Sequence, residues 1–237
     1  MEVDMVAWLD GVAAKLAESP RGREVTTAEE AVRLYRQPLG TGDGTPARNS
    51  SRPVLRLSSD LEDLGLLEDA VVAAQEVCRL SRQRAAERPD NVYPDLGASL
   101  GNLARVLDRA DRGEEALAVA EESVQLCREH ATRHPDPVSP HLAIALGVLT
   151  SVLTSMNRLV DAEAAAAEAV AQYRKLSLTE PDMFTIGVAG SLNYQAGLLT
   201  GLGRLDQAQA CLVEATALRQ RRLCPPGVAP GTTPPPA

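Results

Sequence analysis

The sequence predicts an all-α protein made of stacked helical hairpins, and three regularities support that prediction. An alanine that closely follows an acidic residue recurs every 46 residues, and prolines and arginines keep the same interval. An apolar position in the preceding segment also repeats. These sets are Ala70, Ala116, Ala162 and Ala208; Pro89, Pro135 and Pro181; Arg112, Arg158 and Arg204; and Val54, Leu100, Leu146 and Leu192. A fixed period of this size indicates supersecondary units that cannot bury their apolar faces alone.

Composition narrows the function classes. The chain has 237 residues, 44% hydrophobic and only 3% aromatic, so its core must consist of Leu, Val and Ala. The net charge of -8 argues against nucleic-acid binding and against anionic membranes. The four cysteines have no C-x-x-C spacing, which predicts reduced thiols. The acidic start and the absence of any membrane-length apolar run predict a cytoplasmic protein.

The sequence before the regular array does not keep the 46-residue period. Residues 3–17 have helical apolar spacing, and Glu29-Glu30-Ala31-Val32 repeats the acidic-alanine signature out of register. We therefore interpret 1–37 as a degenerate helical hairpin. Gly, Pro and Ser dominate 38–52, which predicts a flexible linker. Residues 53–223 hold four hairpins, and the proline-rich tail 224–237 is predicted to be disordered.

Each hairpin has a predicted turn. We expect helices over 53–64 and 67–87, 95–110 and 114–133, 140–156 and 160–178, and 185–201 and 205–222. The residues closing the first helices are Gly65, Asp111, Asn157 and Gly203, types that tolerate the left-handed conformation. Acidic residues then begin the second helix, where its dipole favours them. The repeated proline is expected to follow the second helix and stop it.

The pattern Leu100-x-x-Leu103-Ala104-x-x-Leu107, followed by Ala116-x-x-x-Ala120 and Pro135, resembles a tetratricopeptide repeat. A small residue keeps its place in every copy: Ser58, Ala104, Thr150 and Ala196. The period of 46 is similar to the long-repeat form of kinesin light chains and many bacterial signalling proteins. The resemblance implies a right-handed solenoid that binds peptides or partner proteins in its concave groove, without catalysis or a cofactor.

The resemblance also implies that the first helix of each hairpin lines the groove. With the leucines inward, Asn102, Arg105 and Arg109 share the outward face of one helix. Such asparagines are expected to hold peptide backbone, and two arginines could pair with a partner's carboxylate. Ser151, Asn193 and Tyr194 are the candidates in later copies. The competing interpretation is a solvated helix face.

Three further sequence patterns give weaker evidence for a functional site. Cys127, His130 and His134 have a spacing that could hold zinc, although nothing equivalent repeats, so we expect no metal. Ser99 lies in a G-x-S-x-G sequence, but a nucleophile elbow needs a preceding strand. The glycines Gly197, Gly201 and Gly203 are interpreted as close helix packing.

The sequence thus favours a non-catalytic interaction scaffold with a protein or peptide partner. One alternative is a regulatory, self-associating subunit of a bacterial signalling ATPase or protease system, since the last helix has no polar cap after it. A hydrolase that uses Ser99 is the other alternative, but convergent titratable groups are lacking.

Overall fold

The computed structural model describes residues 4–17, 46–87, 93–133 and 140–223, and the regular structure in these ranges is entirely α-helical. The helices are α1 (Met5–Ala17), α2 (Pro46–Asp63), α3 (Leu67–Glu87), α4 (Tyr93–Arg109), α5 (Gly113–Arg133), α6 (His141–Ser155), α7 (Leu159–Thr179), α8 (Pro181–Gly201) and α9 (Leu205–Leu223). The predicted all-α fold is confirmed. We number the repeats 1 to 4, from the α2–α3 hairpin to the α8–α9 hairpin.

The chain forms two compact units, Met1–His130 and Ala131–Ala237. In unit 1, α2 packs on α3 and α3 packs on α4. Helix α4 lies close to α5. Ser123 Oγ of α5 donates to the Gly97 carbonyl of α4 at 3.0 Å. A Cβ at Gly97 would lie only 3.1 Å from the Cys127 sulfur. In unit 2, consecutive helices from α6 to α9 pack on one another.

All four hairpin turns use the predicted left-handed residue. Gly65, Asp111, Asn157 and Gly203 have φ values of 77°, 59°, 59° and 74°. In repeat 1 the N–H of Leu66 donates to the Leu61 carbonyl at 2.9 Å, and the N–H of Gly65 donates to the backbone carbonyl of Glu62 at 3.1 Å. The same two bonds recur in the other turns. This is the Schellman arrangement, which satisfies the last carbonyls of the first helix.

The repeated apolar positions form the core. Val54, Leu100 and Leu146 have no exposed surface, and Leu192 has 1%. The repeated small residues are buried too, and Ser58 Oγ donates across its hairpin to the carbonyl of the signature Ala70 (3.0 Å). A larger side chain at that position would push α2 away from α3. The small residues thus allow the two helices of a hairpin to approach closely.

Some boundaries differ from the prediction. Helix α2 begins at Pro46, inside the segment predicted as linker, because the first turn of a helix tolerates a proline. Pro181 begins α8 rather than merely ending α7, for the same reason. The second helix predicted within 1–37, most of the predicted linker and the tail 224–237 lie outside the described residues. None of the described helices combines the length and apolarity needed to cross a membrane.

Candidate functional site

Helix α4 presents three of the predicted groove residues, and a carboxylate of α2 joins them. Arg105 and Arg109 each donate from Nη1 to the same atom, Oε1 of Glu62, and the Arg109 contact is 2.5 Å. The second Nη of Arg105 donates to Asn102 Oδ1 at 2.9 Å. The first helices of repeats 1 and 2 therefore share one polar cluster, Glu62–Asn102–Arg105–Arg109, which we call the α2–α4 cluster.

Burial within the α2–α4 cluster is uneven. The Glu62 side chain is 1% exposed, whereas those of Arg105 and Arg109 are 45% and 49% exposed. A buried carboxylate is unfavourable unless cations and hydrogen bonds compensate it. Two guanidinium groups on one carboxylate supply that compensation. The two arginines therefore contact a buried carboxylate and are also about half exposed to solvent.

Two buried atoms of this cluster have no hydrogen-bond partner among the described residues. They are Oε2 of Glu62 and Nδ2 of Asn102. Unpaired buried polar groups are rare because each loses its bonds to water. Both unpaired atoms belong to one connected network, because Arg105 donates to Glu62 and to Asn102.

The predicted residues of the later copies are arranged differently. With its side-chain oxygen toward α9, Asn193 accepts hydrogen bonds from both Nη atoms of Arg219, at 3.1 Å from Nη1. Asn193 is therefore engaged within repeat 4. Its neighbour Tyr194 is 45% exposed, and Ser151 is exposed on α6. The structure joins neither of them to Asn193 by a hydrogen bond.

Glu62 was not among the predicted site residues, although its position carries a signal. It lies in the last turn of α2, a turn that contains no basic residue and whose dipole disfavours an acid. The equivalent residue of repeat 2, Asp108, is also acidic, whereas Thr154 and Thr200 of repeats 3 and 4 donate to their own helix backbone, at 2.6 and 2.8 Å. Because Glu62 is buried, it requires cations from another helix, and Arg105 and Arg109 of α4 supply them.

The weaker patterns have structural explanations. The hydroxyls of Ser99 and Ser81 share a buried hydrogen bond of 2.9 Å within packed helices, and Ser99 follows no strand. Cys127 is buried, which raises the pKa of its thiol to about 11. His134 lies outside the described residues, and those residues hold no group of three His, Cys, Asp or Glu side chains suited to a metal.

The close-packing interpretation of the glycines is wrong for Gly197. A Cβ there would meet nothing within 4 Å, whereas one at Gly201 would only touch Leu159, at 3.4 Å. Gly203 instead provides the left-handed turn. Close glycine packing does occur at Gly187, where a Cβ would lie 2.6 Å from the Tyr173 ring.

The fold defines a helical-repeat protein of the tetratricopeptide-like solenoid class. The chain contains a tetratricopeptide repeat, because residues 96–136 match that family's model. None of the curated proteins matches the sequence. The predicted resemblance is thus confirmed at the level of fold and repeat.

Solved structures give the same fold. BtubC (BKLC) from P. vanneervenii is 16% identical, with a TM-score of 0.70 over 97% of this chain and 84% of that chain. A Podosopora anserina kinesin light chain structure with nearly identical TPR-like repeats is 16% identical, with a TM-score of 0.61 over 95% of this chain and 100% of that chain. A MamA RS-1 ArsTM double mutant is 14% identical, with a TM-score of 0.52 over 94% of this chain and 98% of that chain.

Proposed function

We propose that the protein is a non-catalytic interaction scaffold and that the α2–α4 cluster binds a peptide segment of a partner protein. The observation that carries this proposal is the pair of unpaired buried atoms on Glu62 and Asn102, bordered by two half-exposed arginines. Polar groups that converge on one face in this way usually serve recognition. The tetratricopeptide-like fold, commonly a protein-interaction scaffold, supports the same class of function.

The chemistry of the described residues favours binding over hydrolysis. Ser99 is buried, and its hydroxyl is paired with Ser81, so a substrate carbonyl could not reach it without opening the helix packing. Cys78 and Cys127 are also buried, and burial raises their thiol pKa values to about 12 and about 11. Thiols with raised pKa values are poor nucleophiles. Three free cysteines in the described chain support a reducing, cytoplasmic setting.

A selection experiment tests the proposal. A random peptide library displayed on phage is selected against the full chain, and the affinity of each selected peptide is measured by calorimetry. We expect Asn102→Ala and Arg105→Ala to weaken binding about tenfold or more, as for the loss of a charged hydrogen bond. The matched control is Arg82→Ala, because Arg82 is also half-exposed and pairs with a glutamate, Glu122, but lies on α3.

Circular dichroism first establishes that each variant keeps its helical content. Peptides that bind both α4 variants as tightly as the parent would contradict the proposed site. Equal losses in all three variants would indicate a general effect of removing arginine or asparagine rather than recognition by this face.

A second candidate function, self-association through α9, has its own observation. Leu205, Leu212 and Val213 are 63%, 42% and 59% exposed on the last described helix. Exposed apolar side chains close together on one helix suit a partner helix. Sedimentation equilibrium tests this candidate, which predicts a concentration-dependent dimer that Val213→Glu abolishes.

A further inference from the structure

The two unpaired atoms of the α2–α4 cluster are of opposite kinds. The carboxylate oxygen Oε2 of Glu62 is an acceptor, and the amide nitrogen Nδ2 of Asn102 is a donor. Both residues hold the same side chain, since Arg105 donates to Glu62 through one Nη and to Asn102 through the other. The unpaired acceptor and the unpaired donor therefore belong to one connected network.

The two arginine side chains that border this network are long and flexible. Arg105 and Arg109 contact the buried Glu62 and are themselves half exposed, so they lie between its carboxylate and solvent. Arginine has a long side chain with several rotatable bonds, and each guanidinium has donors beyond those used here. Access to the unpaired atoms therefore requires a ligand to displace part of an arginine side chain.

A single ligand group that pairs with both atoms must both donate and accept. A carboxylate has only acceptors and would bring negative charge against the unpaired oxygen of Glu62. An ammonium group has only donors and would approach two guanidinium groups. A neutral amide offers an N–H to Glu62 and a carbonyl oxygen to Asn102, and it leaves the balance of the three ions unchanged.

We infer that Glu62 is the specificity-determining residue of this site and that it selects a neutral amide of the partner. This inference rests on the proposed function, and it differs from the expectation that the arginine pair binds an acidic group. Glu62 already compensates one of the two arginine charges, so a second carboxylate gains less from them. The amide is either a peptide bond or a side-chain carboxamide, which share this chemistry.

The test uses four small probes of similar size on the full, nitrogen-15-labelled chain. N-methylacetamide represents a peptide bond and propionamide a side-chain carboxamide, whereas propionate and propylammonium carry the two competing charges. The side-chain amide signal of Asn102 is followed by NMR during each titration. Asn193 is the matched control, since it is also an asparagine on a first helix but is engaged by Arg219.

We expect saturable shifts of the Asn102 signal with one or both amides, several-fold larger than with propionate or propylammonium, and no comparable change at Asn193. Whichever amide gives the larger shift identifies the source as backbone or side chain. In Glu62→Gln, with helical content verified, the preference for amides over propionate should disappear. That variant replaces an acceptor and its charge by a neutral group of nearly the same shape.

Two results would overturn the inference. A larger shift with propionate than with either amide in the unmodified protein would assign the site to carboxylates. No shift at Asn102 with any probe would mean that the unpaired atoms are satisfied by trapped water alone. The proposed function is tested separately, by the binding of selected peptides to Asn102→Ala, Arg105→Ala and the Arg82→Ala control.

Discussion

The indole Nε1 of Trp8 donates a hydrogen bond to Oδ1 of Asp69 at 3.1 Å, although 61 positions separate the two residues. Lys15 donates to the other oxygen of Asp69 at 2.7 Å. The N-terminal helix α1 is therefore attached to the first acidic-alanine signature of the array.

Asp69 is open to α1 because repeat 1 lacks the repeated arginine. In repeats 2 and 3 that arginine binds the acid three residues later, Arg112 with Glu115 at 2.7 Å and Arg158 with Asp161 at 2.8 Å. Repeat 1 has Leu66 in that place. A single substitution within the repeat thus converts a local pair into an attachment point.

We predict that Asp69→Ala loosens α1 while the repeats stay folded. The chain has one tryptophan, so fluorescence reports on α1 alone. The emission should move to longer wavelength as Trp8 gains contact with water, and the free energy of unfolding should fall by about 1 kcal/mol. Glu115→Ala is the control at the same repeat position. An equal emission change in that control would mean that Trp8 senses general instability.

The left-handed turns predict opposite effects for two glycines of unit 2. Gly203→Ala forces a side chain into a positive φ and should lower the free energy of unfolding by about 1–2 kcal/mol. Gly147 lies inside α6, where a Cβ would meet nothing within 4 Å. Gly147→Ala should therefore raise the free energy of unfolding by about 0.5–1 kcal/mol. Urea denaturation monitored by circular dichroism measures both. Changes of the same sign would refute the conformational explanation.

Two leucines of repeat 3 lie on the same predicted apolar stripe but differ in burial. The sequence indicates a loss of about 2–5 kcal/mol for Leu149→Ala, but Leu149 is only partly buried, whereas Leu146 has no exposed surface. We therefore expect the full loss for Leu146→Ala and a clearly smaller one for Leu149→Ala. Guanidinium unfolding of both variants decides this. A larger loss for Leu149→Ala would place the core on the wrong side of α6.

The α2–α4 cluster changes the expected effect of charge reversal. From the sequence alone, Arg105→Glu with Arg109→Glu should move stability by no more than about 0.5 kcal/mol. Because both arginines compensate the buried Glu62, we now expect a loss of about 3–5 kcal/mol, as for a buried charge left unpaired.

Adding Glu62→Gln to that double variant should restore much of the lost stability in thermal denaturation. Arg82→Glu is the surface control, with an expected loss of no more than about 1 kcal/mol. A double variant as stable as the parent would show that Glu62 does not depend on the arginines.

Much of the fold follows from local rules that the sequence displays. The turns at Asp111 and Asn157 could be predicted because few residue types accept a positive φ, and the buried stripe could be predicted because it repeats. The site could be predicted only in part. Asn102, Arg105 and Arg109 follow from helix periodicity, but Glu62 joins them through packing of α2 on the same face, and periodicity within one helix does not report that.

The residues of repeat 4 show the same limit. Asn193 and Tyr194 are adjacent in sequence and were predicted as one surface, but neighbouring positions on a helix point about 100° apart. Asn193 consequently meets Arg219 of α9, whereas Tyr194 faces solvent. Which side each residue takes depends on the position of the partner helix.

The most direct test of the central claim is hydrogen–deuterium exchange of the full chain with and without a peptide selected by display. Bound peptide should slow exchange in α2 and α4, around Glu62 and Asn102, and should leave the exposed positions of α3 and α5 unchanged. At the peptide concentration that half-saturates the parent, Asn102→Ala should show much less of this protection, because its affinity is lower. Protection confined to α3 and α5, or to unit 2, would contradict the assignment of the binding site to the α2–α4 cluster.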